Sequence, residues 1–185
     1  MARTPTTQID LGFKAPNFSL PDVTSGKDIS FSDVKGERGT LVMFICNHCP
    51  FVIHVKDELV RLANDYRSKG FGFVAISSND VVNYPQDSPE KMKEFAKLAQ
   101  FPFPYLYDET QEVAKAYDAA CTPDFSLFDR EDVCVYRGQL DDSRPGNGEP
   151  VDGHSLREVF DLMLNGSPVP QEGQRPSIGC NIKWK

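Results

Sequence analysis

Two thiols three residues apart lie between a predicted strand and a predicted helix. They are Cys46 and Cys49, in the run Cys-Asn-His-Cys-Pro at 46–50. The preceding run 40–45 carries no charge and is typical of a buried parallel strand. After the pair, apolar residues recur at three- and four-residue steps until Gly70, which predicts an amphipathic helix. This placement favours thiol redox chemistry.

Pro50 indicates which of the two thiols is the nucleophile. Proline is favoured at the first position of a helix, so Cys49 is predicted to be the capping residue. A thiolate at that position is stabilised by unpaired backbone N–H groups and by the helix dipole, which lower its pKa below the free value of ~8.5. We therefore assign Cys49 as the nucleophile and Cys46, on the turn before it, as the resolving thiol.

The same residues admit other interpretations. A Cys-x-x-Cys pair with His48 can be part of a zinc site, although such sites usually have four ligands and the chain has no second pair. The other histidines, His54 and His154, are predicted on helix surfaces. The two cysteines can also be buried structural thiols. His48 itself is either a cation or base beside Cys49 or an exposed loop residue.

Composition limits the classes of protein. The chain has 185 residues, of which 39% are hydrophobic, and this fits one domain over 1–185. Within it we predict a core over about 10–166 and a C-terminal extension over 167–185. A net charge of −7 argues against a nucleic-acid partner. With no signal-like or membrane-spanning run and an odd count of five cysteines, the chain is predicted to be cytoplasmic, with no membrane partner.

The elements that must position the thiols follow from hydrophobic periodicity and turn residues. Strands are predicted at 18–20, 29–31, 40–45, 71–76, 125–128 and 133–136. Helices are predicted after Pro50, after Ser88, after a capping box formed by Asp108 and Gln111, and over 156–164. This order predicts an α/β fold with a mixed central sheet, helices on both faces and an N-terminal hairpin. Apolar residues alternate over 178–184, so the tail is predicted to dock as an extended segment.

The succession of motifs resembles the thioredoxin-fold superfamily, and more closely the peroxiredoxin-like subgroup of the alkyl hydroperoxide reductase/thiol-specific antioxidant family. The similar stretches cover nearly the whole chain: Lys14–Pro21, Cys46–Pro50, Tyr105–Gln111, Cys121–Phe125 and Ser177–Trp184. The resemblance implies a thioredoxin-like fold in which Pro123 is cis and faces the dithiol. It also implies that Thr122 contacts the substrate. With these two, we predict His48 and Asn47 as substrate-binding residues.

The chain departs from both branches that it resembles. Aligned on the preceding strand, Cys49 matches the first cysteine of the thioredoxin motif, whereas Val52 occupies the position of the second. Peroxiredoxins are expected to carry Pro-x-x-x-Thr-x-x-Cys, but here the Pro and Thr positions hold Val42 and Cys46. Where a peroxide-binding arginine often precedes the strand, this chain has Thr122–Asp124. An incomplete peroxide pocket is therefore predicted.

The function predicted is that of a thiol–disulfide oxidoreductase without a cofactor. Cys49 attacks an oxidised protein or small-molecule disulfide, Cys46 closes a Cys46–Cys49 disulfide, and an external thiol reductant restores the pair. The first alternative is a thiol peroxidase in which Cys49 is oxidised by peroxide. The second is a non-enzymatic metal- or partner-binding module that uses Cys46, His48 and Cys49.

Five further residues have open roles. Cys121 is placed near the predicted cis proline, and Cys134 is predicted to be buried in a strand. Cys180, on the docked tail, is either a second resolving thiol or a small apolar contact. Asn79 and Asp80 end a strand at the edge where parallel sheets present ligand sites, so they either border the dithiol or form a turn.

Overall fold

Strands and helices alternate over residues 3–185, which the computed structural model describes. The strands are Arg3–Pro5 (β1), Ser19–Pro21 (β2), Asp28–Ser30 (β3), Gly39–Phe44 (β4), Phe71–Ser77 (β5), Tyr105–Tyr107 (β6), Cys121–Thr122 (β7), Asp124–Asp129 (β8), Cys134–Arg137 (β9) and Ile178–Asn181 (β10). The helices are Phe31–Val34 (α1), Pro50–Arg67 (α2), Pro89–Ala99 (α3), Glu112–Ala116 (α4) and His154–Leu164 (α5), with a 3-10 turn at Pro85–Asp87.

The central sheet has five strands in the order β6-β5-β4-β8-β9. All six residues of β4 are buried, because β4 pairs in parallel with β5 and antiparallel with β8. The parallel strands β4, β5 and β6 therefore end at one edge, and β8 begins there, with Phe44 opposite Asp124. This edge brings together the start of α2, the loop after β5 and the segment before β8. The mixed sheet and its β8–β9 hairpin confirm the prediction.

Alternating side chains of β4 pack on two different layers. Leu41 and Met43 face an apolar cluster formed with α2, α3 and α5. Val42 and Phe44 face a second cluster that includes Phe31 of α1 and Ala114 of α4. The sheet is therefore covered by helices on both faces, as predicted.

Strand β1, near the N-terminus, pairs with strand β10, near the C-terminus. The β2–β3 hairpin forms where it was predicted, and β10 lies between β1 and β7 in a separate antiparallel sheet. The prediction that the tail docks as an extended segment is confirmed. Gly179 permits the close approach of β10 to β7, because a Cβ at this position would collide with the carbonyl oxygen of Thr122. Within residues 3–185, no helix is long and apolar enough to cross a membrane.

The predicted capping box of Asp108 and Gln111 is wrong. Gln111 is itself the residue before α4, and its side chain makes no capping hydrogen bond. Its amide instead donates to the carbonyls of Ser78 and Lys183 at 2.7 and 2.8 Å. The buried Asp108 carboxylate still accepts a helix N–H, from Ala114 at 2.9 Å. Gln111 thus bonds residues far along the chain instead of forming the local capping pair with Asp108 that the spacing suggested.

Candidate active site

Cys49 is the residue that precedes α2, as Pro50 predicted. Its backbone is extended, with φ −69° and ψ 121°, and its carbonyl accepts the first helical hydrogen bond, from Ile53 at 3.0 Å. The side chain is fully buried, and its Sγ lies 3.2 Å from the carbonyl oxygen of Thr122. The sulfur therefore lies between the end of β7 and the start of α2.

The environment of Cys49 lowers its pKa to about 5. The largest cause is a hydrogen bond from the Cys46 thiol. Burial opposes it, and a hydrogen bond from Cys180 supports it. The backbone N–H of Val52 adds a smaller lowering, although Cys49 Sγ forms no capping hydrogen bond. The pKa shift has the expected direction, but its main source is the neighbouring thiol rather than the helix terminus.

Cys46 has the opposite protonation preference. Its pKa is raised well above the usual value by its hydrogen bond to Cys49, by burial and by the negative charge of Asp87. Its sulfur lies 3.5 Å from the Thr122 hydroxyl and 4.0 Å from Nδ1 of His48. The pair is therefore differentiated into one thiolate, Cys49, and one neutral thiol, Cys46.

A third thiol, that of Cys180, contacts the same sulfur. Its Sγ lies 2.7 Å from Sγ of Cys49, although the two residues are 131 positions apart. Cys180 is 1% exposed in β10, opposite Thr122 of β7. Burial, followed by its hydrogen bond to Cys49, raises the pKa of Cys180 to about 12. Cys49 is thus flanked by two neutral thiols.

A buried carboxylate, which sequence reasoning missed, supports the turn that carries the dithiol. Asp87, at the end of the 3-10 turn, accepts hydrogen bonds from the backbone N–H of Asn47 at 2.8 Å and from Nδ2 of Asn79 at 2.9 Å. A carboxylate oxygen of Asp87 also accepts a hydrogen bond from Nδ1 of His48 at 2.6 Å. Burial by itself would raise the pKa of Asp87, but hydrogen bonds from His48 and Asn79 outweigh it and the net shift is downward.

The sequence was compared with models of known protein families. The sequence profile of the Redoxin family matches residues 10–152, more than half of the chain. The chain belongs to the Redoxin family.

The relatives of this redoxin include one named as a peroxiredoxin and one named as a thiol–disulfide oxidoreductase. It is 32% identical over 116 residues to "Putative peroxiredoxin Rv2521" of Mycobacterium tuberculosis (strain ATCC 25618 / H37Rv), covering 63% of this chain and 68% of that protein. It is 26% identical over 128 residues to "Thiol-disulfide oxidoreductase ResA" of Bacillus thuringiensis subsp. konkukian (strain 97-27), covering 69% of each chain. The predicted peroxiredoxin-like family is confirmed.

Solved structures show how far the fold is shared. An uncharacterised conserved protein from Geobacillus kaustophilus superposes on this redoxin with a TM-score of 0.97 and 62% identity, over 100% of this chain and 97% of that one. Two solved thiol–disulfide oxidoreductase or interchange domains, each 20% identical, superpose with TM-scores of 0.63 and 0.67. The predicted thioredoxin-like fold is confirmed.

The segment before β8 takes the position expected for this redoxin. The Thr122–Pro123 peptide bond is cis, as the resemblance implied. Thr122 contacts both cysteines of the predicted pair, through its carbonyl at Cys49 and its hydroxyl at Cys46. Its backbone, however, already pairs with Cys180 of β10. The position predicted to receive a substrate is therefore covered by the C-terminal strand.

Asn47 is engaged inside the protein rather than turned toward a ligand. Besides its N–H bond to Asp87, its Nδ2 donates to the carbonyl of Gln86 at 3.0 Å, and its Oδ1 accepts from the hydroxyl of Tyr105 at 3.0 Å. The substrate contact of Asn47 stays a prediction. The ring of His48 stacks on Tyr84, with ring centroids 5.9 Å apart. The loop after β5 thus holds the dithiol turn in place.

The two polar residues predicted at the end of β5 have different outcomes. Asn79 reaches the site through its bond to Asp87, and its Oδ1 accepts the backbone N–H of Lys183 at 2.9 Å. The Asp80 carboxylate instead accepts from the N–H of Val82 at 3.0 Å, which is the turn interpretation. The polar loop after β5 was the available signal for Asp87, but nothing in its local pattern separated Asp87 from Asp80.

One group of side chains in residues 3–185 could hold a metal ion. The ligand atoms of Cys46, His48 and Asp87 all lie within 4.8 Å of one another. Sulfur, imidazole nitrogen and carboxylate oxygen are all ligands that zinc accepts. The group differs from the predicted one, because Asp87 takes the place of Cys49. An ion here would have to replace the existing contact between Nδ1 of His48 and Asp87.

The remaining cysteines and histidines lie away from the dithiol or contact other groups. The sulfur of Cys121 approaches the Pro123 carbonyl at 3.5 Å, and burial raises its pKa. Cys134 is buried in β9, as predicted, and burial raises its pKa to about 12. His54, on α2, bonds the Ser143 hydroxyl at 2.7 Å, and His154 begins α5.

Proposed function

We propose that this redoxin is a thiol–disulfide oxidoreductase in which Cys49 is the nucleophile and Cys46 a resolving thiol. Membership of the Redoxin family and similarity to a protein named as a thiol–disulfide oxidoreductase support the reaction class. The observation that carries the proposal is the differentiated pair, in which Cys49 with a pKa of about 5 accepts a hydrogen bond from neutral Cys46. Such a pair supplies an ionised attacking sulfur together with a protonated second thiol.

The cycle begins with attack of the Cys49 thiolate on one sulfur of a substrate disulfide. The substrate S–S bond breaks, one substrate thiolate leaves and takes a proton, and Cys49 is held in a mixed disulfide. Cys46 then loses its proton and attacks Cys49 Sγ, which releases the second substrate thiol. The enzyme dithiol is oxidised by two electrons and the substrate disulfide is reduced to two thiols. Both electrons pass directly from the enzyme thiols to the substrate disulfide, so the proposed cycle uses no cofactor.

His48 and Asp87 serve as positioning residues in this proposal. A carboxylate oxygen 2.6 Å from Nδ1 requires that nitrogen to carry a proton, so Nδ1 cannot also act as the base for Cys46. The pair instead fixes the turn between the two cysteines, since Asp87 also binds the N–H of Asn47. Asn47 therefore has an anchoring role in this proposal, besides its predicted substrate contact.

The partners are a disulfide substrate and an external thiol reductant. Thr122, Pro123 and His48 are the proposed substrate-binding residues, and β10 must move before a protein substrate can pair with Thr122. The proposed substrate is a disulfide of a protein or of a small molecule. A single domain over 1–185 and a cytoplasmic location stay predictions.

A second candidate, thiol peroxidase, is favoured by the complete burial of Cys49. A sulfur with 0% exposure is reached more easily by a small oxidant than by a protein disulfide. The Cys49 thiolate would attack one peroxide oxygen and the O–O bond would break. The other oxygen would leave with a proton, as water or an alcohol, and Cys49 would become a sulfenic acid. Attack by the Cys46 thiol would then release water and close the disulfide. Similarity to a protein named as a peroxiredoxin supports this candidate.

Parallel rate measurements test the proposal. Reduced protein is assayed with hydroxyethyl disulfide and with hydrogen peroxide, using dithiothreitol as the reductant. Disulfide reduction is expected in wild type and in the control variant Cys134→Ser, and is expected to be lost in Cys49→Ser. Full activity of Cys49→Ser would refute the assignment. Peroxide consumption faster than disulfide reduction and dependent on Cys49 would select the peroxidase.

A further inference from the structure

We propose that Cys180 is a third redox thiol of this site, which resolves oxidised Cys49 by forming a Cys49–Cys180 disulfide. The inference deepens the proposed function and depends on Cys49 being the nucleophile. It adds a catalytic residue from the C-terminal strand to the pair at the start of α2.

The geometry places the two sulfurs together without any rearrangement of the chain. Sγ of Cys180 lies 2.7 Å from Sγ of Cys49, compared with a disulfide bond length of about 2.05 Å. A small displacement of either side chain therefore suffices to form the bond.

Strand pairing on both sides holds Cys180 in this position. In β10 it lies opposite Arg3 of β1 and opposite Thr122 of β7. Beyond it, the N–H of Ile182 donates to the carbonyl of Ala120 at 3.1 Å. Cys180 is thus part of a three-stranded sheet, and its approach to Cys49 is a property of the fold.

The residue before Cys180 shows how closely the strand must approach. A Cβ on Gly179 would collide with the carbonyl oxygen of Thr122, the same oxygen that lies 3.2 Å from Cys49 Sγ. Glycine at position 179 therefore allows β10 to lie close enough to β7 for Cys180 to contact Cys49.

The two thiols have complementary protonation states. Cys49 has a pKa of about 5, and Cys180 one of about 12. Cys49 is therefore the thiol that attacks the substrate, and Cys180 is available for the second step. In that step Cys180 loses its proton and attacks Cys49 Sγ of the mixed disulfide. The Cys49–Cys180 bond forms, and the departing substrate thiolate takes the proton.

Cys46 can then convert the Cys49–Cys180 disulfide into the Cys46–Cys49 disulfide of the proposed cycle. Its thiol attacks Cys49 Sγ, Cys180 leaves and is protonated, and the Cys46–Cys49 disulfide forms. No electrons are gained or lost in this exchange, because one disulfide replaces another. The external reductant acts on either disulfide.

The experiment uses the full chain, hydroxyethyl disulfide as the probe, and intact-mass and peptide mass spectrometry. In Cys46→Ser, which removes the competing thiol, the proposal predicts a Cys49–Cys180 linkage and no lasting hydroxyethyl adduct. In Cys46→Ser/Cys180→Ser, the adduct on Cys49 should accumulate. The matched control Cys46→Ser/Cys134→Ser should behave like Cys46→Ser. A stable adduct on Cys49 in Cys46→Ser would overturn the proposal.

Two additions keep the test decisive. Should a serine variant fail to fold by circular dichroism, Cys180→Ala retains an apolar side chain at the buried position. Wild-type protein is also exposed to limiting probe, quenched with N-ethylmaleimide and mapped. A Cys49–Cys180 peptide in the earliest of a series of quenched samples supports the proposal. Exclusive Cys46–Cys49 linkage from the first sample onward, before exchange by Cys46, overturns it while leaving the proposed function intact. Failure of Cys49 to form either a hydroxyethyl adduct or a disulfide, in wild type and in every variant, would instead refute the proposed function.

Discussion

Nδ1 of His48 lies 2.6 Å from a carboxylate oxygen of Asp87, and this carboxylate is completely buried. The pair joins the turn between the two cysteines to the loop that follows β5. Because the same carboxylate accepts the N–H of Asn47 and the amide of Asn79, one side chain supports both segments.

Replacement of this carboxylate should destabilise the protein. In Asp87→Asn, an amide NH₂ group faces donors that the carboxylate accepted, so the free energy of unfolding should fall by about 1–3 kcal/mol at neutral pH. The pKa of Asp87 is lowered in the fold. Its contribution is therefore present above the unfolded pKa of ~3.9 and is lost as pH falls through the folded value.

Urea unfolding at neutral and acidic pH measures both effects. The difference between wild type and Asp87→Asn should be largest at neutral pH and should shrink below about pH 4. Asp57→Asn, at an exposed position on α2, is the control and should differ little from wild type. Equal stability of Asp87→Asn and wild type at neutral pH would contradict the supporting role.

Loss of the Cys46 thiol should raise the pKa of Cys49. The hydrogen bond from Cys46 is the largest cause of the lowered value of about 5, and Cys46→Ala removes the donor. The midpoint of Cys49 alkylation by iodoacetamide, followed against pH by mass spectrometry, should move toward the free value of ~8.5. Cys134→Ala should leave it unchanged. An unshifted midpoint in Cys46→Ala would mean that the helix terminus or Cys180 controls the ionisation.

The Thr122 hydroxyl should assist Cys46 specifically. It lies 3.5 Å from Cys46 Sγ, and its hydrogen bond opposes the other causes that raise the pKa of Cys46. In Thr122→Val, formation of the Cys46–Cys49 disulfide should slow roughly two- to tenfold, the kinetic equivalent of one hydrogen bond. Stopped-flow measurement in a Cys180→Ser background isolates this step, and Thr122→Ser should keep the wild-type rate. A slow Thr122→Ser variant would point to packing rather than to the hydroxyl.

A side chain at position 179 should separate β10 from the site. Because the added Cβ of Gly179→Ala collides with the Thr122 carbonyl oxygen, the strand must shift away from β7. We expect slower Cys49–Cys180 linkage and a lower thermal midpoint, measured by peptide mapping and circular dichroism. Leu98→Ala is the control, since Leu98 is 84% exposed on α3 and lies in a helix that tolerates alanine. Linkage in Gly179→Ala as fast as in wild type would show that β10 is not placed by this contact.

Local pattern was enough to predict the elements around the nucleophile. The uncharged run before Cys46 became a fully buried strand, and Pro50 became the first residue of α2. These features depend on neighbours within a few residues, where helical and strand periods and the proline ring act directly. The alternation over 178–184 likewise predicted an extended, docked tail.

The nature of the site depended on contacts that no local pattern encodes. Sequence alone determined that Cys49 begins a helix next to another thiol, and that the chain is a mixed α/β protein. Only the tertiary structure brought Cys180 to Cys49 and Asp87 to His48, because strand order and loop packing join segments that lie far apart along the chain. The tertiary structure also decided why the pKa of Cys49 is low. The main hydrogen bond comes from the Cys46 thiol, and the direction of that thiol depends on how the turn at 46–49 is held. Spacing along the chain carries no information about that direction.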